Sequence, residues 1–192
     1  MSSLKGINGR IRKQEEMDFY VASRILKESI NPSLNIETYP TPDTYYVDLW
    51  GISRLPDGDV RFNVEIKERY KDKKHIEKYP TVELRVDKYN RMRSVTDSDT
   101  RLYYMVLLNT KTCYLFDLDN PDVWNNVEVR DWEMKRTQFS DDSDTIKVPT
   151  FFIPYQNSTY TVDCSSYFRD WYCSPSFFSG NGLDKERKEE GL

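Results

Sequence analysis

From Val60 to Lys67 the side chains alternate without a break. Val60, Phe62, Val64 and Ile66 are apolar, whereas Arg61, Asn63, Glu65 and Lys67 are polar. Successive side chains of an extended chain point to opposite faces, so this pattern buries its apolar half only as a strand lying on a core. The same alternation forces Glu65 and Lys67 onto one face. Upstream, Pro56-Asp57-Gly58-Asp59 has the composition of a tight turn. Before it, Tyr45 to Ile52 is aromatic and β-branched, which predicts a partner strand. Pairing the two strands about that turn brings Asp48 level with Glu65. An acid-x-lysine triplet is a weak signal alone, since it also starts at Asp72, Glu133 and Glu186. Only at Glu65 does an alternating strand hold acid and lysine on one face.

The rest of the chain supplies the frame. Residues from about Arg10 to Glu28 place Ile11, Phe19, Ala22, Ile25 and Leu26 on one helical face, flanked by Met17 and Val21, and Asn31-Pro32 ends that helix. On this wheel Glu15 and Asp18 fall within the apolar face and Glu16 points away. A third strand is expected over Thr81–Val86. Asp87 is then placed to cap a short helix from Lys88 to about Val95 whose Tyr89 and Met92 face inward. Strands at Leu102–Leu108 and Cys113–Leu118 follow, joined by Asn109-Thr110-Lys111-Thr112. Residues 119–144 are acidic and show no clear period; Thr150–Ile153 and Ser158–Val162 read as further strands. The order is that of an α/β fold with a central mixed β-sheet flanked by helices.

Two carboxylates converging across a hairpin suit one hard cation such as Mg²⁺, which takes oxygen ligands and keeps waters or phosphate oxygens. A lysine on the same face can orient a water or neutralise developing charge. Asp48, sixteen intervening residues, then Glu65-Ile66-Lys67, set in a helix–strand–strand–strand–helix–strand order, resembles the PD-(D/E)XK (restriction-endonuclease-like) nuclease superfamily. The resemblance covers roughly residues 10–118. It implies an αβββαβ core over 1–118; the residues beyond it match no family pattern, and their own composition predicts an aromatic-rich extension over 119–179 packed on that core and a disordered, glycine-bearing and charged tail over 180–192. It also implies a nuclease hydrolysing DNA phosphodiester bonds with Mg²⁺ or Mn²⁺. Asp48, Glu65 and the Ile66 carbonyl would bind the metal, Lys67 would be the catalytic lysine, and a helical glutamate would complete the site. Helix phase selects Glu15 over Glu16, with Asp18 a third candidate. Arg85, Lys88 and Arg91 lie where the family meets the nucleic-acid backbone. No proline precedes Asp48, where the name-giving motif has one.

Net charge is −4, yet residues 61–93 hold 11 Lys+Arg against 6 Asp+Glu. A basic middle in an otherwise acidic chain fits a groove facing an anion such as DNA, with the remainder repelled. Lys71, Lys73 and Lys74 read as a solvated loop. With one histidine, His75, and three cysteines, Cys113, Cys164 and Cys173, without CxxC spacing, a zinc site is not expected and free thiols are. The absence of a long apolar run predicts no membrane span, and a cytoplasmic setting in a bacterial cell or phage-infected host. The aromatic C-terminal segment, Tyr155 to Phe178, is expected to pack on the core, or on a second copy or other protein partner. Two competing readings remain at this stage: a non-catalytic nucleic-acid-binding or protein-interaction module on the same fold, and Asp48–Lys67 as a plain cross-strand ion pair.

Overall fold

A computed structural model describes residues 3–30, 35–41, 46–55, 58–69, 71, 73–135 and 144–173. Helix α1 runs Ser3–Ile25 and continues as a π-helical turn, Leu26–Ile30. Strands β1 (Asn35–Pro40), β2 (Leu49–Arg54) and β3 (Val60–Arg69) follow as an antiparallel meander. Next come α2 (Lys73–Lys78), β4 (Thr81–Arg85) and α3 (Val86–Ser94). The chain then returns as β5 (Thr100–Leu108), parallel to β3, and turns back as β6 (Thr112–Asp117). After a short 3₁₀ turn come β7 (Glu128–Lys135), β8 (Thr145–Pro154), β9 (Tyr160–Asp163) and α4 (Ser165–Cys173). The central mixed sheet has the order β1-β2-β3-β5-β6-β9, and a second, antiparallel sheet has the order β4-β8-β7.

The core has two halves because the central sheet is covered on both faces. On one side Met17, Val21, Ala22, Ile25 and Leu26 of α1 meet Phe62 and Val64 of β3, Met105 and Leu107 of β5, and Phe168 of α4. On the other side Leu102, Tyr104 and Val106 of β5 meet Val82 and Leu84 of β4, Met92 of α3 and Ile153 of β8. Burial of these side chains stabilises each half at about 25 cal/mol per Å² of apolar surface removed from water. The polar face of β3, which carries Asn63, Glu65 and Lys67, therefore looks toward α3 and the second sheet. At Gly51 of β2 an added Cβ would lie 2.3 Å from the Phe62 ring and 2.6 Å from the Glu37 carbonyl oxygen. Only glycine lets that ring lie across the strand.

The architecture is the expected mixed α/β sheet flanked by helices, with the strands differently distributed. β1 was not expected: Asn35–Pro40 ends in proline, which is tolerated because β1 is an edge strand. The strand at Thr81–Arg85 forms, but in the second sheet, so the meander before the crossover is β1-β2-β3. The partner strand of β3 starts at Leu49; Tyr46 to Asp48 bend, and Tyr45 lies outside the described residues. Asp87 is not a cap. Arg85 holds the N-cap position without a side-chain bond, and Asp87 lies in the first turn of α3. Residues 119–173 join both sheets: β9 extends the central one and β7 and β8 build the second. Phe168 and Tyr167 pack against the α1 side of the core. The tail expected over 180–192, Phe177 and Phe178 lie outside the described residues. Cys113 and Cys164 are buried free thiols. Among the described residues no helix is long and apolar enough to cross a membrane.

Candidate functional site

The β2–β3 register builds the site. Leu49 pairs with Val64, so the next position outward sets Asp48 opposite Glu65. The Asp48 amide donates to the Val64 carbonyl at 3.0 Å, which holds the bend against the ladder. The Asp48 carboxylate in turn accepts the Ile66 amide through Oδ2 at 2.6 Å. Asp48 is thus exposed yet fixed in direction by the backbone of the acid-x-lysine triplet itself.

Glu65 is 8% exposed. Burial raises its pKa most, and the adjacent Asp48 carboxylate adds to this; the Lys88 ammonium opposes it, and the balance stands at about 8. Two carboxylates held together in a poorly hydrated place favour a shared proton or a cation between them. Lys88 Nζ, 2.9 Å from Glu65 Oε2, supplies part of that positive charge. Lys67, two residues along on the same face, is depressed below the ordinary lysine value by lost hydration and then by Arg69.

Helix α1 contributes differently from expectation. Averaged over Met17, Val21, Ala22, Ile25 and Leu26, its buried stripe is centred close to Ile25, and at 100° per residue Asp18 falls roughly 15° from that centre and Glu15 roughly 75°. Glu15 is exposed, as is Glu16, and Asp18 is half-buried. Gln14 Nε2 bridges Asp18 at 3.0 Å and Glu68 at 3.3 Å. Burial first, then Glu68, and more weakly Asp48 and Glu15, push Asp18 up to about 7. Of the helical candidates, Asp18 is the one drawn toward the end of β3, by Gln14 and Glu68, while Glu15 is exposed.

Glu65 and Lys67 line a cleft of about 970 Å³ that runs from β3 across α3 onto the second sheet. Arg85, Lys88 and Arg91 all line it. Each has a carboxylate partner: Lys88 has Glu65, and Arg85 and Arg91 share Asp87, which Arg85 chiefly holds below the usual carboxylate range. Lys71 is not a solvated loop residue. It lines the cleft and its Nζ lies 2.8 Å from Glu83 Oε1, while Arg69 approaches the other carboxylate oxygen at 3.6 Å. Lys74 is exposed as expected. Tyr46 and Trp50 are 42% and 38% exposed, so the surface beside Asp48 is open. Arg130, Trp132 and Met134 of β7 line the far wall and were missed. Their period of two was legible, but the acidic residues around them hid it.

The donor set suits a hard divalent cation: two adjacent carboxylates, all-oxygen, Glu65 on the cleft wall and Asp48 exposed beside it. Among the described residues no group of three His, Cys, Asp or Glu side chains is placed to hold a metal, so the protein would supply two carboxylates. No protein-family model matches the chain, and no curated protein matches it significantly. Among solved structures it is similar to the Holliday junction resolvase Hjc of Archaeoglobus fulgidus, at 11% identity, over 68% of this chain and 87% of that one, with a TM-score of 0.38.

Proposed function

We propose that the chain is a metal-dependent nuclease that hydrolyses phosphodiester bonds of DNA, with Asp48, Glu65 and Lys67 as its reactive set. The observation that carries this reading is Asp48 set opposite Glu65 across β2–β3, with Glu65 and the lysine two residues on lining a cleft whose cations outnumber its acids. Asp48 and Glu65 would hold Mg²⁺ or Mn²⁺, with the Ile66 carbonyl as a further oxygen. The ion would lower the pKa of water and stabilise charge on the phosphate. Lys67 donates hydrogen bonds to the attacking water or to the phosphate oxygens, and its depressed pKa makes it a ready proton carrier. Lys88 neutralises Glu65 until the site is loaded and is then free to meet a phosphate beside Arg85 and Arg91. Asp18 is the helical carboxylate nearest to this task.

A non-catalytic nucleic-acid-binding module is the second reading, and the Lys88–Glu65 pair favours it because it already compensates the buried acid. Incubating labelled single-stranded and duplex DNA with wild-type protein and Asp48→Asn, in Mg²⁺ and in EDTA, separates the two. Mg²⁺-dependent cleavage lost in Asp48→Asn supports the nuclease. Binding without cleavage by a folded wild-type protein sinks it.

A further inference from the structure

The cleft continues past Glu65 and Lys67 onto a surface that the reactive set does not use. Across the second sheet Arg85 pairs with Thr150 and Thr150 with Arg130, so two arginines stand in one row. One row along, Phe152 lies between Glu83 and Glu128, and the Arg130 guanidinium covers its ring at 3.9 Å. Trp132, two residues beyond Arg130 on the same face of β7, packs at right angles to Phe152 with ring centres 5.5 Å apart. Its ring is 44% exposed although it lines the cleft. A large aromatic side chain left nearly half exposed on a concave wall, two residues along β7 from Arg130, has the makings of a stacking platform.

From this arrangement we propose that the cleft face of the second sheet is a subsite for an unpaired nucleotide, whose base stacks on Trp132 and whose phosphates lie between the cations of β3 and those of β4 and β7. The strand held at the reactive set is then single-stranded or locally melted; this part rests on the nuclease reading. In a duplex the faces of the bases are covered by their neighbours, so a ring on a cleft wall meets a base face only where the stack is open. Lys67, Arg85 and Arg130 line the same cleft, while Arg69 and Lys71 are held there by Glu83 of β4, so the cations follow one groove and suit the single backbone of an unpaired strand. Stacking tolerates any base, so recognition would be of strand form and not of sequence.

The test uses fluorescein-labelled oligo(dT) and a blunt duplex of equal length, titrated by anisotropy into Asp48→Asn protein, which cannot cut under the nuclease reading. The expected result is tighter binding of the single strand. In the same background Trp132→Ala should weaken single-strand binding by roughly 5- to 150-fold, the range for one stacked base, and duplex binding little. Trp132→Phe should recover most of it, which a folding defect would not. Equal or tighter duplex binding, or an unchanged single-strand affinity in Trp132→Ala, overturns the proposal. So does a Trp132→Ala change confined to self-association, which would assign the ring to a second copy of the chain. Single-strand binding that depends on Trp132, with no cleavage by wild-type protein, would leave this subsite standing and remove the nuclease reading. Mg²⁺-dependent duplex cleavage indifferent to Trp132 would do the reverse.

Discussion

Replacing Glu65 with glutamine should stabilise the metal-free protein at alkaline pH while removing its proposed activity. A glutamate in the unfolded chain titrates near 4.5, and in the folded protein Glu65 is pushed up to about 8. Between those values the folded state holds a proton that the unfolded state has lost, so stability falls as pH rises through this window. Below it both states are protonated, and above it both are ionised. At about 1.36 kcal/mol for each pH unit, the full penalty at pH 9 is at most about 5 kcal/mol. Glutamine keeps the shape without the charge, and Lys88, a third exposed at its side chain, can turn to water. Urea unfolding in EDTA, followed by tryptophan fluorescence from pH 5 to pH 9, reads this directly. Wild type and Glu65→Gln should be nearly equal at pH 5, and the variant should gain by several kcal/mol at pH 9. Parallel stability curves, or a variant less stable at pH 9, would refute the argument that burial beside Asp48 holds a proton on Glu65.

Lys67→Ala should abolish cleavage yet keep Mn²⁺ affinity within about threefold, as seen by calorimetry, because lysine is not a ligand. Gly51→Ala should cost about 2–4 kcal/mol in urea unfolding, since the added Cβ meets the Phe62 ring and the Glu37 carbonyl; Phe62→Leu in the same chain should return part of it. Asp18→Asn should raise stability at pH 8 relative to pH 4 in thermal melts, because the raised Asp18 value makes the wild type lose stability as pH climbs toward 7.

The β3 strand was legible because alternation has one cheap solution, and it carried Asp48, Glu65 and Lys67 into register with it. The helix α1 was legible too, but its phase was not. Glu15 and Asp18 both sit on an apolar arc by sequence, and only the packed structure shows that Asp18 is half-buried and Glu15 exposed. β1 escaped because edge strands accept proline and need only one partner. The second sheet escaped for a different reason: β4 is separated from β8 by about sixty residues, and no local pattern announces so distant a pairing. With it went the far wall of the cleft, Arg130 and Trp132. The partners of the expected phosphate-binding residues were equally hidden, since Lys88 on α3 and Glu65 on β3 meet only through the crossover.

The central claim is that Asp48 and Glu65 together bind one divalent cation. Crystals soaked in Mn²⁺ and measured at the manganese absorption edge test it most directly. The account predicts a single anomalous peak bonded to a carboxylate oxygen of each residue, with Lys88 displaced from Glu65, and no such peak in Asp48→Asn. A wild-type crystal with no peak there and the Lys88–Glu65 pair intact would contradict it.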